Sequence, residues 1–76
     1  HLLTPKNAMI ETIGTNAGLI WNALDKLGKM DLKALKKATK LRTDKELYAA
    51  LGWLAKEGKL RFDEVGEELF VELIYL

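Results

Sequence analysis

The chain has no cysteine and no serine, one histidine and one proline. Without cysteine there is neither a disulfide nor a thiolate metal ligand, so a domain of 76 residues must be held by its core or by association with another chain. Nucleophilic catalysis has no apparatus: Ser and Cys are missing, Thr39 and Thr43 read as core and cap, and His1 stands at the extreme terminus, away from any partner. A phosphate-cradling loop is missing too, because Gly14-Thr15-Asn16-Ala17-Gly18 has neither the P-loop lysine nor a suitable strand before it. The acids Glu64, Glu67 and Glu68 look like a metal cluster only on paper, since adjacent strand residues point to opposite faces. No apolar run approaches the ~18 residues of a membrane span, and the first residues do not form a signal-peptide pattern. The expectation is a cytoplasmic, non-enzymatic protein with no cofactor, no metal and no membrane contact.

What the sequence does have is apolar surface. A chain of this length buries only about 60% of its unfolded surface and is marginally stable alone. Its hydrophobic fraction of 49% is generous for that size, which makes a homodimer the expected supplement, with a different protein as a further partner. The proline, Pro5, precedes every periodic segment, and His1 to Ala8 has little pattern of its own. We take residues 1–8 as a tag, an extension or a loose arm, and residues 9–76 as one domain.

Within that domain Ile13, Ala17, Ile20, Trp21, Leu24 and Leu27 recur at i, i+3, i+4, i+7, predicting a helix from about Gly14 to Leu27, with Thr12 or Thr15 near its cap and Gly28 as its stop. Met30 is expected to add a residue or two of edge strand. Asp31 caps a second helix with Leu32, Leu35, Ala38 and Thr39 inward; Leu41 and Arg42 form a tight link. Thr43-x-x-Glu46 has capping-box spacing, in which each side chain satisfies the other residue's amide, and it opens a third helix with Leu47, Ala50, Leu51 and Leu54 inward. Gly58 terminates it. Leu60 and Phe62 then alternate with Arg61 and Asp63; Gly66 marks a turn; Leu69, Val71 and Leu73 alternate with Phe70, Glu72 and Ile74. Helix, short link, helix and hairpin in this order make a winged helix-turn-helix of the α+β class: three helices and a C-terminal two-stranded wing, with a short third strand at Met30.

The segment Ile13-Gly14-Thr15-Asn16-Ala17-Gly18, the following Trp21, and Leu47-Tyr48-x-Ala50-Leu51-Gly52-Trp53-Leu54-Ala55-x-Glu57 resemble a family of small prokaryotic winged helix-turn-helix proteins of unknown function. The resemblance runs from about Ile10 to Ile74. It implies the fold and carries no activity with it, so function has to be read from the residues themselves.

In a DNA-binding winged helix the outward face of the third helix enters the major groove. Stepping about 100° per residue from Leu47 places Lys45, Tyr48, Ala49, Gly52 and Lys56 outward, with Trp53 on the flank. Base readout calls for Arg, Asn, Gln or Lys at successive exposed turns. Here the middle of the helix offers Ala49 and Gly52. A glycine inside a helix costs about 1 kcal/mol relative to alanine, a cost that close approach of a partner backbone would explain. Tyr48 and Trp53 beside it match the aromatic anchors of protein interfaces. We therefore expect Tyr48, Ala49, Gly52, Trp53 and Lys56 to form a homodimer face in a protein-interaction or regulatory module. The alternative is a DNA-binding transcriptional regulator that uses the third helix together with Lys33, Lys36, Lys37, Lys40, Arg42 and Lys45, a basic patch able to bind phosphates. Against it, Asp63, Glu64, Glu67, Glu68 and Glu72 make residues 63–76 acidic with no base among them, so nucleic-acid binding is expected to be weak or nil.

Overall fold

Apolar side chains at helical spacing, glycines that accept a left-handed backbone, and one short hairpin generate the architecture. The computed structural model describes the backbone of residues 5–75 and the side chains of residues 10–75. Its elements are α1 (Pro5–Leu27), β1 (Met30–Asp31), α2 (Leu32–Thr39), α3 (Asp44–Lys56), β2 (Leu60–Val65) and β3 (Glu68–Leu73). The strands form one antiparallel sheet in the order β1-β3-β2. A winged helix-turn-helix with a short third strand at Met30 is what the sequence pattern describes.

Helix α1 differs from expectation at its start, which lies at Pro5 and not near Gly14, so Thr12 and Thr15 are inside the helix. Proline suits a first helical position because its missing N–H has no intrahelical partner to lose. Ile10, Glu11 and Thr12, where the described side chains begin, are exposed, so no apolar spacing announces that turn. Residues 5–8, within the stretch read as a tag, extension or loose arm, are the opening turn; residues 1–4 lie outside those described.

The boundaries of the other helices rest on specific hydrogen bonds. Asp31 caps α2 by accepting from the Ala34 amide at 2.7 Å. Thr43 Oγ1 accepts from the Glu46 amide at 3.1 Å, half of the expected box. The other half is shifted by one residue: Glu46 Oε1 accepts from the Arg42 amide at 3.3 Å and from the Thr43 hydroxyl at 3.4 Å. At the far end of α3 the amides of Gly58 and Lys59 donate to the carbonyls of Ala55 and Leu54, a crossed pair that requires a left-handed residue between helix and strand. Gly58 supplies it at φ 72°. In the hairpin Val65 pairs with Glu68, leaving Gly66 and Glu67 as a two-residue turn. Gly66 has φ 63°, the first-position geometry of a type II′ hairpin turn.

Ile20, Leu35, Leu47 and Val71 are the largest fully buried side chains, one from each of α1, α2, α3 and β3. Burying each is worth roughly 1.5–3 kcal/mol. Thr39 is buried among them, its hydroxyl donating to the Leu35 carbonyl at 2.9 Å. Three positions assigned inward are exposed: Leu27 is the last residue of α1, Ala38 faces solvent, and Phe62 is 42% exposed. On β2 only Leu60 is covered, because the hairpin outruns the helices that pack beneath it.

Candidate interaction site

Two surfaces gather the residues singled out by the sequence. The first is the outward side of α3. Tyr48 is 56% and Trp53 41% exposed, and Lys45, Gly52 and Lys56 are exposed between and around them, while Ala49 is half-buried. Tyr48 and Trp53 lie five residues apart, so they flank the stripe from opposite sides. A Cβ placed on Gly52 would meet no atom of the described residues within 4 Å. Nothing in the chain's own packing therefore calls for glycine at that position.

The second surface is a groove of about 970 Å³ between α2, the start of α3 and the β2–β3 turn. Sheet register builds it. Asp31 pairs antiparallel with Phe70, so the residues after Asp31, which open α2, run beside the residues before Phe70, which close the turn. Lys33, Lys36, Lys37 and Lys40 line the α2 side, with Arg42 and the acids Asp31 and Asp44 beside them; Glu67 and Glu68 line the turn side. Leu32, Leu41 and Leu69 supply apolar surface between these two walls, with the buried Leu47 behind them, and Tyr48 borders it. Lys36 is held by Asp44 at 2.9 Å. Lys33, Lys37, Lys40 and Arg42 make no ion pair among the described residues. Lys45, grouped with these cations by sequence, does not line the groove.

Sequence reasoning identified the acidic wing and the lysine row but not their confrontation across one groove. That follows from the β1–β3 register, which a strand of two residues encodes too weakly to read. Lys40 was also missed as a conformational feature: it ends α2 at φ 61°, a left-handed position usually given to glycine or asparagine.

The opposite face of the sheet is stitched by charge. Lys29 Nζ donates to Asp63 Oδ2 at 2.7 Å and lies 5.9 Å from the centre of the Phe70 ring. That hydrogen bond holds the Asp63 carboxyl below the usual carboxylate range and the Lys29 ammonium above the usual lysine value. Arg61 meets Glu72 at 3.2 Å, its cross-strand partner. Near the C-terminus the Tyr75 hydroxyl donates to Asp25 at 2.7 Å, which raises the phenol above its ordinary value. Glu64 pairs with Leu69 and Glu68 with Val65, so these acids belong to opposite faces of the hairpin. Among the described residues no group of three or more His, Cys, Asp or Glu is placed to hold a metal, and no helix is long and apolar enough to cross a membrane.

The three helices, the short β1 and the two-residue wing turn together match a known domain family over nearly the whole chain. The chain belongs to the DUF2582 family of winged helix-turn-helix domains. The family model matches residues 7–73, taking in all but the first two residues of α1 and every other element. No curated protein matches the chain. DUF2582 membership carries the fold; what either surface does has to come from its own chemistry.

Proposed function

We propose that this domain is a protein-interaction module that works as a homodimer joined through the outward face of α3, and that it does not read DNA sequence. The observation that supports this reading is the composition of that face: Tyr48 and Trp53 exposed around Gly52, with no Arg, Asn or Gln anywhere from Asp44 to Lys56. Aromatic anchors around a small-residue centre suit the core of a protein interface. The glycine costs about 1 kcal/mol of helix propensity. A second backbone crossing at Gly52 would give that cost a purpose.

A transcriptional regulator is the second reading, favoured by the lysine row of α2. It needs base-edge contacts as well as phosphate contacts, and α3 supplies Lys45 and Tyr48 at most.

Light scattering and sedimentation equilibrium at micromolar concentration test the dimer. Twice the monomer mass of 8.6 kDa is expected. Gly52→Glu buries a charge and Trp53→Ala removes an anchor, so each should weaken association by at least about 2 kcal/mol, acting twice across a symmetric interface. A monomer at every accessible concentration would remove the proposal. A dimer indifferent to both changes would move the interface off α3, with Phe70 and Ile74 next in line.

A further inference from the structure

The groove between α2 and the wing turn sets a lysine-rich side opposite Glu67 and Glu68 over an apolar floor, and most of it lies outside the proposed α3 dimer face. We infer that it docks a polypeptide segment carrying carboxylates along one edge and apolar side chains beneath, and that Glu67 and Glu68 keep nucleic acid out. Lys33, Lys37, Lys40 and Arg42 face this space, and none of the four makes an ion pair among the described residues. They attract anions.

Which anion fits is decided by the rest of the lining. A nucleic-acid duplex carries phosphates on both strands around its whole surface and cannot present charge to one side alone. Approaching α2 along this groove, it would bring phosphates against Glu67 and Glu68 and leave Leu32, Leu41 and Leu69 without apolar contact. A free phosphate leaves the same floor uncovered. An amphipathic peptide sorts its groups by face: acids to α2, aliphatic side chains to the leucines, amides or cations to the two glutamates. The groove also falls in the size range of a ligand cleft. Such a site goes beyond the dimer, with which it shares only Tyr48. The experiment leaves Tyr48 untouched so that groove and dimer fail separately.

The probes are a labelled amphipathic peptide of roughly 15 residues with Glu along one edge and Leu beneath, its isomer with Lys for every Glu, and a random duplex, each titrated onto the full chain at about 150 mM salt. We expect the Glu peptide to bind at least about tenfold more tightly than the Lys isomer and more tightly than the duplex. The pair Lys33→Glu and Lys37→Glu should weaken the Glu peptide about tenfold or more, the dimer mass staying as in the unaltered chain. Glu67→Lys with Glu68→Lys should strengthen the duplex about tenfold and steepen its salt dependence, because phosphate neutralisation then occurs on both walls. All four positions are exposed, and circular dichroism confirms the fold of each variant. Equal binding of the two peptides, no binding of either, or a Glu peptide indifferent to the lysine reversals would overturn the docking site. A duplex that outcompetes the Glu peptide on the unaltered chain would replace it with a nucleic-acid site. A duplex unmoved by the wing reversal would overturn the role given to Glu67 and Glu68.

Discussion

At the residue scale two left-handed positions separate cost from requirement. Gly58 and Lys40 end α3 and α2 with φ of 72° and 61°, yet only one of them is glycine. An L side chain in this region costs roughly 1–2 kcal/mol from its own Cβ and carbonyl. Around Gly58 a Cβ would touch nothing within 4 Å, so Gly58→Ala isolates that backbone term, and urea denaturation should show a loss of about 1 kcal/mol. Lys40→Gly should do the reverse, gaining up to about 1 kcal/mol after the greater freedom of glycine in the unfolded chain is subtracted. Stability lost in Lys40→Gly would mean that the lysine side chain contributes more than its backbone costs. Gly58 could be read from the sequence because glycine after a helical pattern has a mechanical meaning. Lys40 could not, since lysine is an ordinary helix former and its strain exists only once Leu41 and Arg42 must turn the chain toward α3.

Among the elements, α3 holds the domain together. Leu47, Ala50, Leu51 and Leu54 are all buried, as their spacing predicts, and Thr43 fixes where the helix begins. Leu47→Ala should cost about 2–5 kcal/mol, for lost transfer energy and the cavity left behind, whereas Thr43→Ala should cost only about 1 kcal/mol for one unsatisfied amide. For a domain of this size each kcal/mol lowers Tm by about 4–8 °C, so calorimetry separates the two readily. Equal shifts would show that the cap, not the core, governs α3. Such strongly periodic elements were legible because burial imposes the period. The turn of α1 before Ile13 was not, for the converse reason: Ile10, Glu11 and Thr12 are exposed, and no burial there imposes it. The wing was legible in its alternation and its turn, but the burial of Leu60 beside the exposure of Phe62 depends on how far the helices reach, which no local pattern records.

On the scale of the whole molecule the candidate surfaces were visible as lists of residues and hidden as places. Of the cations that sequence grouped, Lys33, Lys36, Lys37, Lys40 and Arg42 line one groove and Lys45 does not. It could not set Glu67 and Glu68 opposite them, because that juxtaposition is made by the pairing of Asp31 with Phe70 across 39 positions of chain. The same sheet has one further property. Strand order β1-β3-β2 leaves β2 as an edge six residues long, exposed at every position after Leu60. Unpaired edges recruit other strands, and natural sheets protect them with charge. Here Arg61, Asp63 and Glu64 stand among Leu60, Phe62 and Val65. Asp63 keeps its charge to lower pH than an ordinary carboxylate because Lys29 is bonded to it. Its depressed value makes the Lys29 contact stabilising above the normal aspartate range and lost as pH falls through the lowered one. Acidification through that lowered range should neutralise Asp63, remove this guard from the edge and turn β2 into a template for fibril growth, seen as a rise in thioflavin fluorescence after prolonged incubation in acid and none near neutrality. Asp63→Asn with Glu64→Gln should bring that onset toward neutral pH. If the doubly amidated chain stays free of fibrils under all these conditions, the edge is protected by its twist and shortness and not by its carboxylates.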